Sequence, residues 1–204
     1  MTNHKDERPV VAVFDFDRTI TNRHTFWRFL IFLIGPVKFW LIAVTLIPAA
    51  IRYLRGNISM MQAREVMIRR CMKGVSYETY KKRGLLFAQT KLNQWLNQEA
   101  IEKLRWHQQN NHRCLLISNS ADCYLEPWSI DMGFESMSGS RFEQDQEKLT
   151  GKLIGEHCQG PEKLVRLKGI LGDTRKYSLY AYGDSVGDKE LLDIADYPFL
   201  RCFN

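Results

Sequence analysis

Along the chain, short wholly apolar runs alternate with longer stretches whose apolar positions recur at helical spacing. The first run, "VVAVF" at Val10 to Phe14, has no polar position and reads as a strand buried on both faces. "RCLLIS", ending at Ser118, and "YSLYAYG", ending just before Asp184, repeat that pattern. "QEAIEKLRWHQQNN" and "GPEKLVRLKGIL" read as helices, the second with Pro161 near its start, where a missing N–H costs least. "FESMSGSRFEQDQEKLTGKLIG" reads as short strands with a turn near Gln144 to Lys148, "DKELLDIA" as a short helix and "YPFLRCF" as a last strand. Strands alternating with helices in this way predict an α/β fold around a parallel sheet.

The stretch from Phe26 to about Trp95 departs from the alternation and reads as all helix. Ser59 and Gln62 have capping-box spacing ahead of "AREVMIRRCM". Ser76 is placed to cap a helix in which Tyr80, Leu85, Phe87 and Leu92 recur at roughly helical spacing. The predicted organisation is a core of residues 1–22 and 96–204 with a helical domain inserted over 23–95. The most apolar part of the chain, Phe29 to Ile51, lies in this insert. Gly35, Pro36, Lys38 and Pro48 interrupt it, and its longest uncharged piece, Phe39 to Ile51, is shorter than the roughly 20 residues a membrane span needs. The reading is a two-helix hairpin bent near Gly35-Pro36 that is either the apolar core of the insert or an interfacial element, and not a span.

Composition narrows this little. The 204 residues are enough for one core plus a smaller accessory domain, and the net charge of +6 suits solubility, an anionic substrate or an anionic membrane surface. No nucleic-acid partner is expected. The five cysteines form no C-x-x-C pair, so buried free thiols in a reducing compartment are expected. The N-terminal "MTNHKDERPV" has no apolar signal region and is not read as a secretory signal, and a cytoplasmic location is expected. If residues 29–55 touch a membrane, it is at the inner face.

The chemistry enters at the strand ends. Asp15 and Asp17 follow the first strand with only Phe16 between them, Ser118 ends the second, and Asp184 follows the third. Lys163 sits in the first turn of a helix. The carboxyl ends of parallel strands converge on one crevice, so these groups should meet. Paired carboxylates repel unless a cation lies between them, and hard oxygen donors favour Mg²⁺. A lysine and hydroxyls beside them suit the oxygens of a phosphoryl group.

Four motifs, "DFDRT", "LLISNS", "GPEKLVRL" and "GDSVGD", stand in order from Asp15 to Asp188. In this the sequence resembles the haloacid dehalogenase (HAD) superfamily of phosphatases, and within it the phosphoserine phosphatase-like branch, subfamily IB. The resemblance implies a Rossmann-like three-layer sandwich with an inserted helical cap. It implies Mg²⁺-dependent phosphomonoester hydrolysis through an aspartyl-phosphate on a phosphorylated small molecule or a phospholipid. Asp15 would be the nucleophile and Asp17 the general acid and base. Asp15, the main-chain carbonyl of Asp17, and Asp184 would hold the metal. Thr19, Ser118, Asn119 and Lys163 would bind the phosphoryl group, and Asp188 would support Lys163 or a metal-bound water. Arg18 stands where glycine is commonest in the family, and His24 stands where relatives often carry an acid.

The cap is aromatic at Phe26, Trp27, Phe29, Phe32, Phe39 and Trp40, then basic at Arg52, Arg55, Arg64, Arg69, Arg70 and Lys73. That layout resembles the phosphatidylglycerophosphatase C type of this branch and suits an anionic bilayer surface. A phosphoserine phosphatase-like activity, a phosphotransferase and a non-catalytic phosphate-binding or membrane-docking module are the alternatives. The retained aspartates favour an enzyme.

Overall fold

The computed structural model describes residues 7–203, so most of the polar N-terminal stretch lies outside it. Strands β1 (Val10–Phe14), β2 (Arg113–Ala121), β3 (Ser136–Ser140), β6 (Ser178–Gly183) and β7 (Tyr197–Leu200) form one parallel sheet in the order β3-β2-β1-β6-β7. A separate antiparallel hairpin joins β4 (Phe142–Asp145) to β5 (Lys148–Leu153). Its turn, at Gln146 and Glu147, puts both residues at positive φ (44° and 64°), the geometry a two-residue hairpin requires.

The central strand explains the layering. Val11, Ala12, Val13 and Phe14 are all fully buried. Ala12 and Phe14 face one apolar cluster, while Val11 and Val13 face another that includes Leu167 and Leu171 of α8 (Pro161–Leu171) and Leu191 and Leu192 of α9 (Lys189–Asp193). Period-2 alternation thus feeds two cores and leaves no polar face. The predicted α/β sandwich is the observed fold.

The Phe14 side of the sheet carries α6 (Gln98–Gln109), α7 (Asp122–Asp131) and the inserted helices in one continuous cluster. The insert comprises α1 (Thr25–Ile34), α2 (Pro36–Thr45), α3 (Ile47–Leu54), α4 (Met60–Met72) and α5 (Tyr77–Thr90), closed by a 3₁₀ turn over Leu92–Trp95. The capping box at Ser59 and Gln62 is formed, and Ser76 accepts from the Thr79 N–H at 3.1 Å. The helical spacing read over α5 needs one correction: Leu85 is exposed, and Gly84 takes its place on the buried face. A Cβ on Gly84 would stand 2.5 Å from the carbonyl oxygen of Cys123 in α7. Pro127, four residues on, removes the N–H that would have bonded that carbonyl within the helix. The proline also hid α7 from the sequence pattern.

The bend expected near Gly35-Pro36 is present, but it turns the axis by 109° and does not fold α2 back into a hairpin. Pro48 starts α3 and does not break a helix. Among the described residues no single helix is long and apolar enough to cross a membrane; α1 and α2 together would be, were they not bent. Helix α1 buries Phe26, Phe29, Leu30 and Leu33, whereas α2 buries only Phe39 and α3 buries nothing. The apolar segment therefore divides into a core half and an exposed half.

The hairpin β4–β5 is tied to the insert and not to the sheet. Gly74 N–H donates to the Leu149 carbonyl, Leu149 N–H to Val75, and Tyr77 N–H to Glu147, each at 2.8 Å. Of the cysteines, Cys71, Cys114, Cys123 and Cys158 are buried free thiols as expected, but Cys202, past the last strand, is exposed.

Candidate active site

Strand β1 ends where Asp15 donates its N–H to the Tyr182 carbonyl of β6 at 2.9 Å. The chain then turns sharply, with the N–H groups of Thr19 and Thr21 both donating to the Phe16 carbonyl (3.3 and 2.9 Å). Arg18 makes this turn with φ at 63°, a left-handed conformation that glycine adopts at least cost. The Arg18 side chain leans back, its Nε 3.4 Å from Asp184 Oδ2.

Asp15 is buried and meets Lys163, the third residue of α8, whose Nζ lies 2.5 Å from Asp15 Oδ1. The same ammonium donates to Asp188 Oδ1. Asp188 Oδ2 accepts the N–H groups of Asp184 and Ser185, both at 3.1 Å, and the Ser185 hydroxyl at 3.2 Å. The close turn needs Gly183, where a Cβ would stand 2.6 Å from the Asp188 Cβ. Lys163 is thus the hub between the end of β1 and the loop after β6.

Asp17 faces elsewhere. Its Oδ1 accepts the Thr25 N–H at 3.0 Å and the Thr25 hydroxyl at 2.6 Å, and its Oδ2 accepts the Ser120 hydroxyl at 3.1 Å. Thr25 opens α1, whose N-cap residue, His24, makes no side-chain cap bond, so Asp17 supplies an acceptor to that helix start. Tyr124 of α7 completes the group, its hydroxyl 3.0 Å from the Thr25 hydroxyl. Thr25, Ser120 and Tyr124 were not legible as site residues, because only tertiary packing brings them to Asp17.

Ser118 is buried and its Oγ accepts the Ser120 N–H at 3.2 Å. Strand β2 runs on past Ser118 to Ala121, with its register to β3 shifted between Ile117 and Ala121. Asn119 Oδ1 accepts the Ser140 hydroxyl at 3.1 Å. Thr19 is buried and its hydroxyl has no hydrogen-bond partner among the described residues. A buried hydroxyl left unpaired is costly unless a ligand completes it.

Asp15, Asp17, Ser118, Asn119, Lys163 and Asp184 line one cleft of about 210 Å³. The insert closes it with His24, Phe26, Trp27 and Arg64. Its volume is below the roughly 300–1,000 Å³ of sites that enclose a drug-sized ligand, so a phosphoryl group and a short adjoining piece are what it can surround.

Burial raises the Asp15 carboxyl to about 7; Lys163 opposes this, and Asp188 and Asp17 add to it. Burial also raises Asp17, against the bonds from Thr25 and Ser120, and raises Asp184, with Asp188 adding and Arg18 opposing. Burial alone would lower Lys163, but the facing carboxylates of Asp15 and Asp188 outweigh it and raise the ammonium. Carboxylate oxygens of Asp15, Asp184 and Asp188 lie within 4.8 Å of one another. A set of hard oxygen donors, each better off with positive charge nearby, fits Mg²⁺. Asp17 places its carboxylate with Thr25 and Ser120 and not in this set.

A parallel sheet with acids at its carboxyl edge and a lysine from α8, the helix before β6, thus frames the cleft. Residues 12–193 match the haloacid dehalogenase-like hydrolase family, and the chain belongs to it. The expectation of an enzyme is borne out on that ground. Over its whole length the chain is 29% identical to protein CicA of Caulobacter vibrioides, covering 90% of that protein. Its fold is similar to that of a Bordetella pertussis Tohama I protein of unknown function, with a TM-score of 0.74 at 22% identity, covering 91% of this chain and 86% of the other. It is also similar to a substrate-bound phosphoserine phosphatase, with a TM-score of 0.61 at 16% identity, covering 93% and 84%.

Proposed function

We propose that the protein is a Mg²⁺-dependent phosphomonoester hydrolase that works through a phosphoryl group carried on Asp15, with residues 23–95 as the cap over the site. One observation carries the reading: Asp15 and Asp17, one residue apart and both raised by burial, have different partners. Asp15 is held by an ammonium, which opposes the effect of burial and favours the charged oxygen that attacks phosphorus. Asp17 is held by neutral donors and its affinity for a proton is raised by burial. Two carboxylates with divergent environments suit two roles.

In the first step an Asp15 oxygen bonds to phosphorus, the bond from phosphorus to the ester oxygen breaks, and the Asp17 proton passes to the leaving alcohol. In the second, Asp17 takes a proton from water as the water oxygen bonds to phosphorus, and the Asp15–phosphorus bond breaks. Lys163, Ser118, Asn119 and the unpaired Thr19 hydroxyl orient the phosphoryl oxygens. Asp15, Asp184 and the Asp17 main-chain carbonyl would hold Mg²⁺, whose charge would offset that of the phosphoryl group. Asp188 is the brace, since its oxygens already serve Lys163 and the Asp184–Ser185 N–H groups.

The test is phosphate release from p-nitrophenyl phosphate with and without Mg²⁺, in the wild type and in Asp15→Asn. Mg²⁺-dependent turnover lost in the variant, with a phosphoryl adduct on wild-type Asp15 after acid quench, supports the reading. Full turnover in Asp15→Asn overturns the covalent route. Supplying glycerol as an alternative acceptor separates hydrolysis from phosphotransfer.

A narrower reading is a phosphatase of a lipid phosphate, of the phosphatidylglycerophosphatase C kind, docked on the inner face of a membrane. It is favoured by the outer side of α2 and α3, where Val37, Trp40, Leu41, Val44 and Leu54 are all more than 60% exposed. Such a patch is unusual on a soluble monomer, and Lys38, Arg52 and Arg55 flank it with positive charge. Sedimentation with anionic vesicles tests it. Binding that weakens in high salt and in Trp40→Asp supports surface docking, and no binding at low salt overturns it.

A further inference from the structure

We propose that the groove between α2 and α4 binds the phosphate headgroup of an anionic phospholipid, which is held there and not hydrolysed. The inference rests on the surface-docking reading above and gives that reading a lipid class and a site. The groove has a volume of about 910 Å³ and shares no lining residue with the catalytic cleft. A lipid seated in it is therefore a different molecule from the one under attack at Asp15.

Four cations converge on the groove: Lys38 from α2, and Arg69, Arg70 and Lys73 from the end of α4. Among the described residues no acidic side chain lines it, and none of the four pairs with a carboxylate. Arg70 is held by a neutral acceptor, its Nη1 donating to the Thr45 hydroxyl at 3.0 Å, and that hydroxyl donates to the Ile42 carbonyl at 2.7 Å. Lys38 reaches across from the other wall: burial pushes the Cys71 thiol of α4 up to about 11, and the Lys38 charge opposes it.

Helix ends account for only part of this. Arg69 and Arg70 stand in the last turn of α4, where free carbonyls favour a cation. Lys38 stands in the first turn of α2, where free N–H groups disfavour one, and no acid in that turn offsets it. Positive charge from both walls thus faces one space with nothing of opposite sign, and an anion entering it relieves all four. Arginine and lysine donors together suit the oxygens of a phosphodiester.

The apolar residues decide which anion. Leu41 and Ile42 line the groove beside the cations, and Leu41 also belongs to the exposed face of α2 with Val37, Trp40 and Val44. A ligand with its charge among the cations has its apolar part led onto that face. Free phosphate leaves the face in water, whereas a phospholipid covers it with acyl chain while its headgroup fills the groove.

The experiment measures calorimetric binding of dihexanoyl phosphatidylserine, below its critical micelle concentration, to the wild type and two double variants. One combines Lys38→Gln with Arg69→Gln, and the other combines Arg52→Gln with Arg55→Gln. Each removes two cations, but only the first pair lines the groove. All four side chains are exposed, so their removal leaves the core intact. The groove variant should bind about 10- to 30-fold more weakly, at about fivefold per cation, and the control variant as tightly as the wild type. Dihexanoyl phosphatidylcholine, with the same chains and no net charge, and glycerophosphoserine, with the same headgroup and no chains, should each bind more weakly than phosphatidylserine. Equal losses in the two variants would make the attraction a matter of net charge and overturn the site. Glycerophosphoserine binding as tightly as the lipid overturns the lipid assignment, and no binding of phosphatidylserine overturns the proposal. Sedimentation with phosphatidylserine vesicles keeps the site apart from docking. Pelleting lost in Trp40→Asp but kept in the groove variant overturns the site and leaves docking standing. Short-chain binding without pelleting supports the site and overturns docking.

Discussion

Lys163 bridges Asp15 and Asp188: its Nζ donates to both carboxylates, at 2.5 Å to Asp15, and all three side chains are buried. Removing the cation leaves two carboxylates facing each other with nothing between them. Lys163→Met should therefore destabilise the metal-free protein by about 3–5 kcal/mol, the cost of breaking a buried pair from one side. Urea denaturation in EDTA measures it. A loss below about 1 kcal/mol would mean that solvent reaches the pair.

Asp17→Asn should discriminate between leaving groups. An alkoxide needs a proton and a nitrophenolate hardly does, so alkyl phosphates should slow by about 10²–10⁴-fold and p-nitrophenyl phosphate by far less. Burst kinetics will show whether slow dephosphorylation of Asp15 levels the two. Equal losses in the phosphorylation step itself would remove Asp17 from the acid role.

Arg18→Gly should act in two ways. It relieves a side chain held at φ 63°, which is worth about 1 kcal/mol. It also removes the guanidinium whose Nε is 3.4 Å from Asp184, a carboxylate placed to hold Mg²⁺. The expected outcome is a higher Tm and a lower Mg²⁺ concentration for half-maximal activity. An unchanged Mg²⁺ requirement would separate Arg18 from the metal.

His107 sets an acid limit on stability. It is fully buried between the Tyr182 hydroxyl (2.9 Å) and His112 Nδ1 (2.8 Å), and burial, with His112 and Lys103 adding, lowers its pKa to about 3. The folded value lies below the unfolded one of 6.5, so the unfolded chain takes up the proton first as pH falls. The stability is complete above pH 6.5 and is lost on the way down towards pH 3. Asp15, whose folded value is raised, works in the opposite sense between pH 7 and 3.8. The difference between the wild type and His107→Gln isolates the histidine. It should shrink by about 1 kcal/mol for each pH unit below 6, and a difference independent of pH would mean that His107 charges in place.

What the residues determine alone is local or periodic. An unbroken apolar run buries both faces of a strand, so Val10 to Phe14 marked the centre of the sheet, and the acids beyond it marked its functional edge. Ser59 with Gln62, and Pro161 at a helix start, act on backbone groups a few residues away and are legible for that reason. Helix α7 was not, because Pro127 contradicts a helix locally while Leu125, Trp128 and Tyr124 hold it in place by burial. The attachment of β4–β5 to the insert, the 109° bend at Gly35 and the exposure of α2 and α3 were equally hidden. An apolar residue has the same pattern whether it meets a core or solvent. The site divides along the same line. Asp15, Asp17, Ser118, Lys163, Asp184 and Asp188 stand in motifs, but Thr25, Ser120 and Tyr124 reach Asp17 only through packing across 8 to 107 residues of chain. Arg64 looks like any surface arginine until the fold brings α4 to the cleft that holds Asp15 and Asp17, because a charge acquires its surroundings from the fold and not from its neighbours in sequence.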